Sequence, residues 1–396
     1  MFTYVDQEKS AKIKVIGVGG AGGNAVNNMI ASNLQGVKFI AANTDSQALE
    51  ISRAPVKIQM GQKLTEGLGA GANPQIGRDA GLESEEALRE ALSDSHMVFI
   101  TAGFGGGTGT GAAPVIAEIC KDMGALTVAV VTKPFAFEGK KRTKLADEGL
   151  ENLKKVVDTA ITIPNDRLRG LAPKNAKLME MFLKADEILL HSVKGITDLI
   201  MMPGLVNLDF ADVKTTMSKA GMAIMGIGIA SGENRSVEAA ERAMSHPLLE
   251  DIPIAGAMGV LMNITSNSDM EFEEVAEASE RIHEEVGDDA DIFWGTSIDD
   301  SLGDEMRVTV LATGIGAEEQ QAEIVSDTVN LPLRGKVRDI TPNDLERDII
   351  DYEEPTFIRQ QKAVGESNGA LYRGHQGLAA EDSELDVPTF LRRKAD

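Results

Sequence analysis

The chain has 396 residues and 42% hydrophobic content, enough for two domains with ordinary cores and a tail. A formal net charge of −23 argues against a nucleic-acid or anionic-membrane surface over the body of the chain, since both need positive potential. One cysteine (Cys120), no apolar leader and no run near the ~18 apolar residues of a spanning helix point to a cytoplasmic protein with no direct membrane insertion.

From Lys12 to about Pro164, apolar runs (KIKVIGV, VKFIAAN, HMVFITA, ALTVAVVT, TAITIP) alternate with helical patterns such as SEEALREAL and KKRTKLADEGLENLKKVVD. Continuous apolar strands separated by helices predict an α/β fold, a Rossmann-like, doubly wound parallel sheet covered on both faces. A long helical pattern over 176–203 follows, broken by Pro203-Gly204, which places a loop at GLVNLDF. Helices SVEAAERAM and EEVAEASERIHEEV then mix with strands AIMGIGIA, GVLMNITS and MRVTVLATGIG, which predicts a second, smaller α/β domain. The expected organisation is a nucleotide-binding domain over 1–175, a central helix over 176–203, a C-terminal domain over 204–316 and a disordered linker over 317–384. A terminal peptide over 385–396, LDVPTFLRRKAD, sets a small apolar face beside a basic end and suits a partner's groove.

Two glycine loops carry the chemistry. Gly105 to Gly111 read GGGTGTG, five glycines and two threonines between an apolar strand and a helical pattern. Such a loop exposes backbone N–H groups at the positive end of a helix, a ready site for phosphate. The first strand likewise ends in GVGGAGGNAVNNM, where Gly17, Gly19 and Gly22 satisfy G-x-G-x-x-G. Alone, that supports an NAD-dependent oxidoreductase, whose second strand should end in an acid that holds the ribose. Here it ends AANTD, with Asp45 late. Two phosphate loops favour a nucleoside triphosphate. Neither contains G-x-x-x-x-G-K-[ST], so backbone amides with Thr108 and Thr110 must do most of the binding.

GGGTGTG, with KIKVIGVGG, NTD, GLGAGANP, VAVVTKPFAFEGKKR, IPNDRL, PGLVNLDFADVK and the terminal LDVPTFLRR, resembles the tubulin/FtsZ GTPase family over nearly the full length. The resemblance implies GTP/GDP binding, hydrolysis coupled to head-to-tail assembly into filaments of a mid-cell division ring, and Mg²⁺ on the phosphates. It places Gly20, Ala21, Gly22, Gly23 and Asn24, with Gly106, Gly107, Thr108, Gly109 and Thr110, around the phosphates, and Glu138 and Arg142 at the ribose and phosphates. It also implies that Leu385 to Arg393 dock onto membrane tethers and regulators of the ring. The alternatives are an NAD-dependent oxidoreductase and a filament protein that binds GTP without hydrolysing it.

Arg142 has a simple physical case, since a guanidinium can fork two phosphate oxygens. Asn165 follows a strand end, where nucleotides sit in such sheets. Phe182 and Asp186 are four apart on a predicted helix, so a ring could stack on the base while the carboxylate accepts from guanine N1–H and N2–H₂. By spacing alone they read more readily as a core ring and a solvated acid, and it is the F-x-x-A-D match to the family that turns the reading toward the base. Asp209 and Asp212, three apart, read by themselves as caps of a helix start. A helix running away from the sheet's carboxyl edge would nevertheless deliver Asn207, Asp209 and Asp212 to the opposite side of the molecule. The resemblance gives them a role there: Asp209 and Asp212 polarise the water that attacks a neighbouring subunit's nucleotide, and Asn207 positions it. The five histidines show no metal-ligand spacing, and no protein metal site is expected.

Overall fold

A computed structural model of the chain describes residues 11–171, 175–201, 208–218, 221–249, 257–287 and 290–315. The expected linker, the terminal peptide and Asn207 lie outside the described residues.

The first half alternates strand and helix as the apolar runs predict. β1 (Ile13–Val18) is buried throughout and passes directly into α1 (Gly19–Ala31). β2 (Val37–Asn43), α2 (Ser46–Glu50), β3 (Val56–Gln59) and α3 (Gln62–Thr65) follow. α4 (Pro74–Glu83) starts where Asn73 accepts from the Gln75 N–H and Pro74 supplies a pre-set φ, a start signal plain in the sequence. After α5 (Glu85–Leu92) come β4 (Met97–Gly103), α6 (Thr108–Asp122), β5 (Leu126–Lys133), α7 (Lys140–Lys154) and β6 (Thr159–Pro164).

These strands pair in parallel in the order β3-β2-β1-β4-β5-β6. The chain therefore moves outward from β1 in one direction and, from β4, in the other. The reversal opens a crevice between β1 and β4, whose last paired residues are Val18 and Ala102. One face of the sheet packs Val15, Phe39, Phe99 and Val128 against α1 and against α8 (Leu178–Met201), which buries Ala185, Leu189, Val193 and Ile196. The other packs Ile16, Val98, Ile100 and Ala129 against Leu88, Ile116, Ala146 and Leu153 of α5, α6 and α7.

Beyond α8, α9 (Phe210–Met217) leads into β7 (Gly221–Ser231), then α10 (Arg235–Met244), β8 (Gly259–Ser266), α11 (Phe272–Val286), β9 (Asp291–Ile298) and β10 (Glu305–Ile315). This smaller α/β domain has its own core, in which Ala239, Ala243, Ile282, Val308 and Val310 meet. Helix α10 lies directly on the backbone of β7: a methyl group at Gly228 would sit 1.8 Å from the Ala239 carbonyl oxygen. The two domains share one ten-stranded sheet, continued as β6-β7-β10-β8-β9 and joined where β6 pairs in parallel with β7 from Thr159↔Gly221 to Ile161↔Ala223.

Candidate nucleotide site

The crevice at the β1/β4 switch point is a cavity of about 330 Å³. It is smaller than a cavity of about 630 Å³ between the end of α1, α8 and Arg307. Only the smaller one gathers both glycine loops, the loop before α7 and one face of α8.

At one end of this cavity two helices begin. Neither α1 nor α6 has a side-chain cap or an acid in its first turn, so the N–H groups that a helix start leaves unbonded remain for a ligand. Close approach explains the glycines between them. A methyl at Gly107 would lie 2.9 Å from the Asn73 N, one at Gly109 2.6 Å from the Gly103 carbonyl oxygen, and one at Gly103 2.6 Å from Cβ of Ala21. Ala21 thus fits because residue 103 is glycine. Gly105 turns the chain at φ +95°, and its N–H donates to Oγ1 of Thr110 at 2.9 Å. The Thr108 and Thr44 hydroxyls lie 2.6 Å apart.

At the other end, α8 projects Phe182 and Asp186 into the cavity one turn apart. Phe182 meets the buried ring of Phe135 edge-on, with centroids 5.5 Å apart. Burial pushes the Asp186 carboxyl up to about 6, and nothing among the described residues pairs with it. Asn165, 5% exposed, also lines the cavity, and its buried Oδ1 has no hydrogen-bond partner. A nearly buried carboxamide with an idle oxygen, lining the same cavity as an idle carboxylate, fits a ligand rich in donors. Between the two ends, Arg142 donates to Glu138 at 2.5 Å, and Glu138 also accepts from the Phe135 N–H at 3.0 Å.

The structure therefore brings Gly20, Ala21, Gly106, Gly107, Thr108, Gly109, Glu138, Arg142, Asn165, Phe182 and Asp186 to one cavity. Gly22, Gly23, Asn24 and Thr110 are not among its lining residues. Gly22 lets α1 approach β4, since a methyl there would lie 2.3 Å from the Thr101 carbonyl oxygen. Phe104, Thr132 and Pro134 line the cavity without having been expected. Thr132 was within reach of sequence reading, because it stands at the carboxyl end of β5. Asp45, the acid a dinucleotide site would need, instead caps α2 by accepting from the N–H groups of Gln47 and Ala48 at 2.9 and 3.3 Å. Asp209 caps α9, accepting from the Asp212 N–H at 3.0 Å, and neither acid lines the cavity.

Two glycine-framed helix starts at a switch point, with a ring and an idle carboxylate at the other end of the cavity, fit a domain that binds a nucleotide. Residues 12–173 match the model of the Tubulin/FtsZ family GTPase domain, and 221–316 that of the FtsZ family C-terminal domain. Cell division protein FtsZ of Pseudomonas aeruginosa is 48% identical over 401 residues, covering 100% of both chains. That of Coxiella burnetii is 49% identical over 388 residues, covering 97% of both. The structure of an FtsZ dimer, empty, from M. jannaschii matches with a TM-score of 0.76 and 48% identity, over 78% of this chain and 90% of that one. The chain belongs to the FtsZ family of GTPases, and GTP and GDP are the nucleotides that this membership implies.

Proposed function

We propose that this protein hydrolyses GTP between subunits of a head-to-tail filament that forms the division ring. The observation that carries this reading is a separation: the nucleotide cavity lies at the carboxyl edge of the parallel sheet, while Asp209 and Asp212, at the start of α9, do not line it. In a heterologous, non-closing contact, one subunit's α9 meets the next subunit's phosphates, so hydrolysis waits on assembly. Asp212 and Asp209 polarise the attacking water, and Asn207 positions it. Phosphoryl transfer depends on placement and charge more than on covalent chemistry, so a site divided between two chains is competent. Relatives 48% identical to this chain carry a cell-division name, and one related solved structure is of a dimer.

Within the cavity, the N–H groups of Gly20 to Gly23 and Gly106 to Gly109, with Asn24, Thr108 and Thr110, hold or brace the phosphates. Arg142 and Glu138 flank the ribose and phosphates. Asn165 offers its idle oxygen, Phe182 stacks on the base and Asp186 accepts from the guanine edge. Among the described residues no group of three His, Cys, Asp or Glu side chains is placed to hold a metal. Mg²⁺ would accompany the phosphates and be coordinated mainly by their oxygens and by water. The filament works in the cytoplasm at mid-cell, and Leu385 to Arg393 dock onto the membrane tethers and regulators of the ring.

GTP hydrolysis per subunit, measured against protein concentration, tests the shared site. The expected result is a sharp onset above a threshold. Activity per subunit that stays constant down to high dilution would mean that one chain holds a complete site.

A further inference from the structure

We propose that Thr44 is a positioning residue that turns the Thr108 hydroxyl proton into the cavity and thereby selects the nucleoside triphosphate over the diphosphate. This inference rests on the nucleotide reading of the cavity and deepens it.

Thr44 follows β2 and is fully buried, whereas Thr108, the first residue of α6, is only partly buried and lines the cavity. Their hydroxyl oxygens are 2.6 Å apart, and distance alone allows either to donate. A count of protons decides. The two hydroxyls hold two protons, and one lies between them. If Thr108 donated, the Thr44 proton would be left in a closed interior, because among the described residues Thr108 is the one hydrogen-bond partner of the Thr44 hydroxyl. A buried donor without an acceptor is the unfavourable arrangement. Thr44 therefore donates, and Thr108 keeps its own proton for whatever occupies the cavity.

The backbone holds Thr44 in this pose. Its carbonyl oxygen accepts from Oγ1 of Thr65 at 3.2 Å and from the Gly69 N–H at 3.3 Å. The Asn43 side chain accepts from the Asp45 N–H at 3.3 Å, which tightens the turn on its other side.

Sheet order says which phosphate Thr108 meets. Asn165 lies beyond the end of β6, Phe182 packs against Phe135 beyond the end of β5, and Thr44 lies beyond the end of β2. Along the order β6-β5-β4-β1-β2 the ends of β5 and β6 are three to four strand spacings from that of β2, about 14 to 19 Å at ~4.8 Å per spacing. A nucleotide with its base at Phe182 extends its phosphates toward Thr44. The phosphate farthest from the base is then the one nearest Thr108, and a proton offered there meets an oxygen that a diphosphate lacks.

The test is binding of GTPγS and of GDP to the full chain carrying Thr44→Val, which keeps the shape and removes the hydroxyl, or Thr44→Ser, which restores it. Thr44→Val should weaken GTPγS by roughly 10-fold, the scale of a misdirected hydrogen bond to a charged group, and leave GDP within about twofold. Thr44→Ser should match the parent protein for both. Thr108→Val should show the same selective loss and carries the test if Thr44→Val does not fold. Combining the two should add nothing further. Equal losses for both nucleotides, no loss with Thr108→Val, or a Thr44→Ser protein as impaired as Thr44→Val would overturn the assignment. Failure of the parent protein to bind either nucleotide would instead overturn the reading of the cavity.

Discussion

The ring of Phe210 lies 6.1 Å, centroid to centroid, from the imidazole of His96. His96 immediately precedes β4, so the first residue of α9 stands at the amino end of that strand. The phosphate loop leaves the other end, after Gly103, about 20 Å away at ~3.3 Å per residue. The far end of α9 keeps to the same edge, where the Thr159 hydroxyl, at the start of β6, donates to the Met217 carbonyl. Asp209 and Asp212 are therefore on the side of the sheet opposite their own chain's nucleotide cavity.

Asp212→Ala should accordingly bind GTP within about twofold of the parent protein while losing turnover by at least ~100-fold, the scale expected when a group acting only in the transition state is removed. Nucleotide binding and phosphate release measured on the same preparation check this. A mixture of Asp212→Ala with a nucleotide-defective Asp186→Lys protein should hydrolyse GTP faster than the sum of the two alone. A sum that is merely additive would place the acid and the nucleotide in one chain.

Asp209 has two separable roles. Its side chain caps α9 by accepting from the Asp212 N–H, and losing such a cap costs about 1 kcal/mol. Asp209→Asn keeps an acceptor and loses the charge, so it should keep the parent melting temperature and lose turnover. Asp209→Ala should lose both. If the Asn variant hydrolyses GTP normally, the cap is the whole function of Asp209.

Much of this was legible in the sequence, for reasons that differ by element. The buried parallel strands are continuous apolar runs and declared themselves, as did the loop at Gly105 to Gly111. β9 (DIFWGTSI) did not, because it is an edge strand whose first half is only partly buried and whose first residue closes the acidic run GDDAD. β3 is four residues long and largely exposed, too short for a period. At the site, Phe182 and Asp186 shared a face by helical spacing, but Thr44 and Thr108 are 64 residues apart and meet only because the strands before them lie on either side of β1. Gly22 and Gly111 look in sequence like the other loop glycines, and only the packing of α1 and α4 distinguishes them.

Asp186 gives the site a pH dependence with a definite sign. Burial raises its carboxyl from 3.8 to about 6, and guanine's donors need it ionised. GDP affinity should fall as pH drops from 7 toward 5, and Asp186→Asn should flatten that slope. For the nucleotide-free protein the sign is opposite. The folded chain holds this proton more tightly than the unfolded chain, so the contribution is fully present below about 4 and is lost as pH rises through about 6. Titrating affinity and thermal stability over the same range checks both. A GDP affinity constant from pH 7 to 5 would remove Asp186 from base recognition.

Two glycines of the same GGGTGTG run, Gly106 before α6 and Gly111 in its first turn, should fail in opposite ways. A methyl at Gly111 would lie 1.9 Å from the Pro74 carbonyl oxygen and 2.6 Å from the Arg78 N, so α4 would have to move off α6. Gly111→Ala should therefore lower stability by about 1–3 kcal/mol, the usual range for overpacking, seen as a reduced melting temperature. At Gly106 a methyl meets nothing within 4 Å, and the residue lines the cavity. The added carbon enters only the space a ligand would fill. Gly106→Ala should melt as the parent does and bind GDP ~10-fold or more weakly, as expected when a phosphate loses a hydrogen bond from the loop. Unchanged affinity in Gly106→Ala would mean that the phosphates do not approach this part of the loop, and the contact would then have to come from the N–H groups at the start of α1.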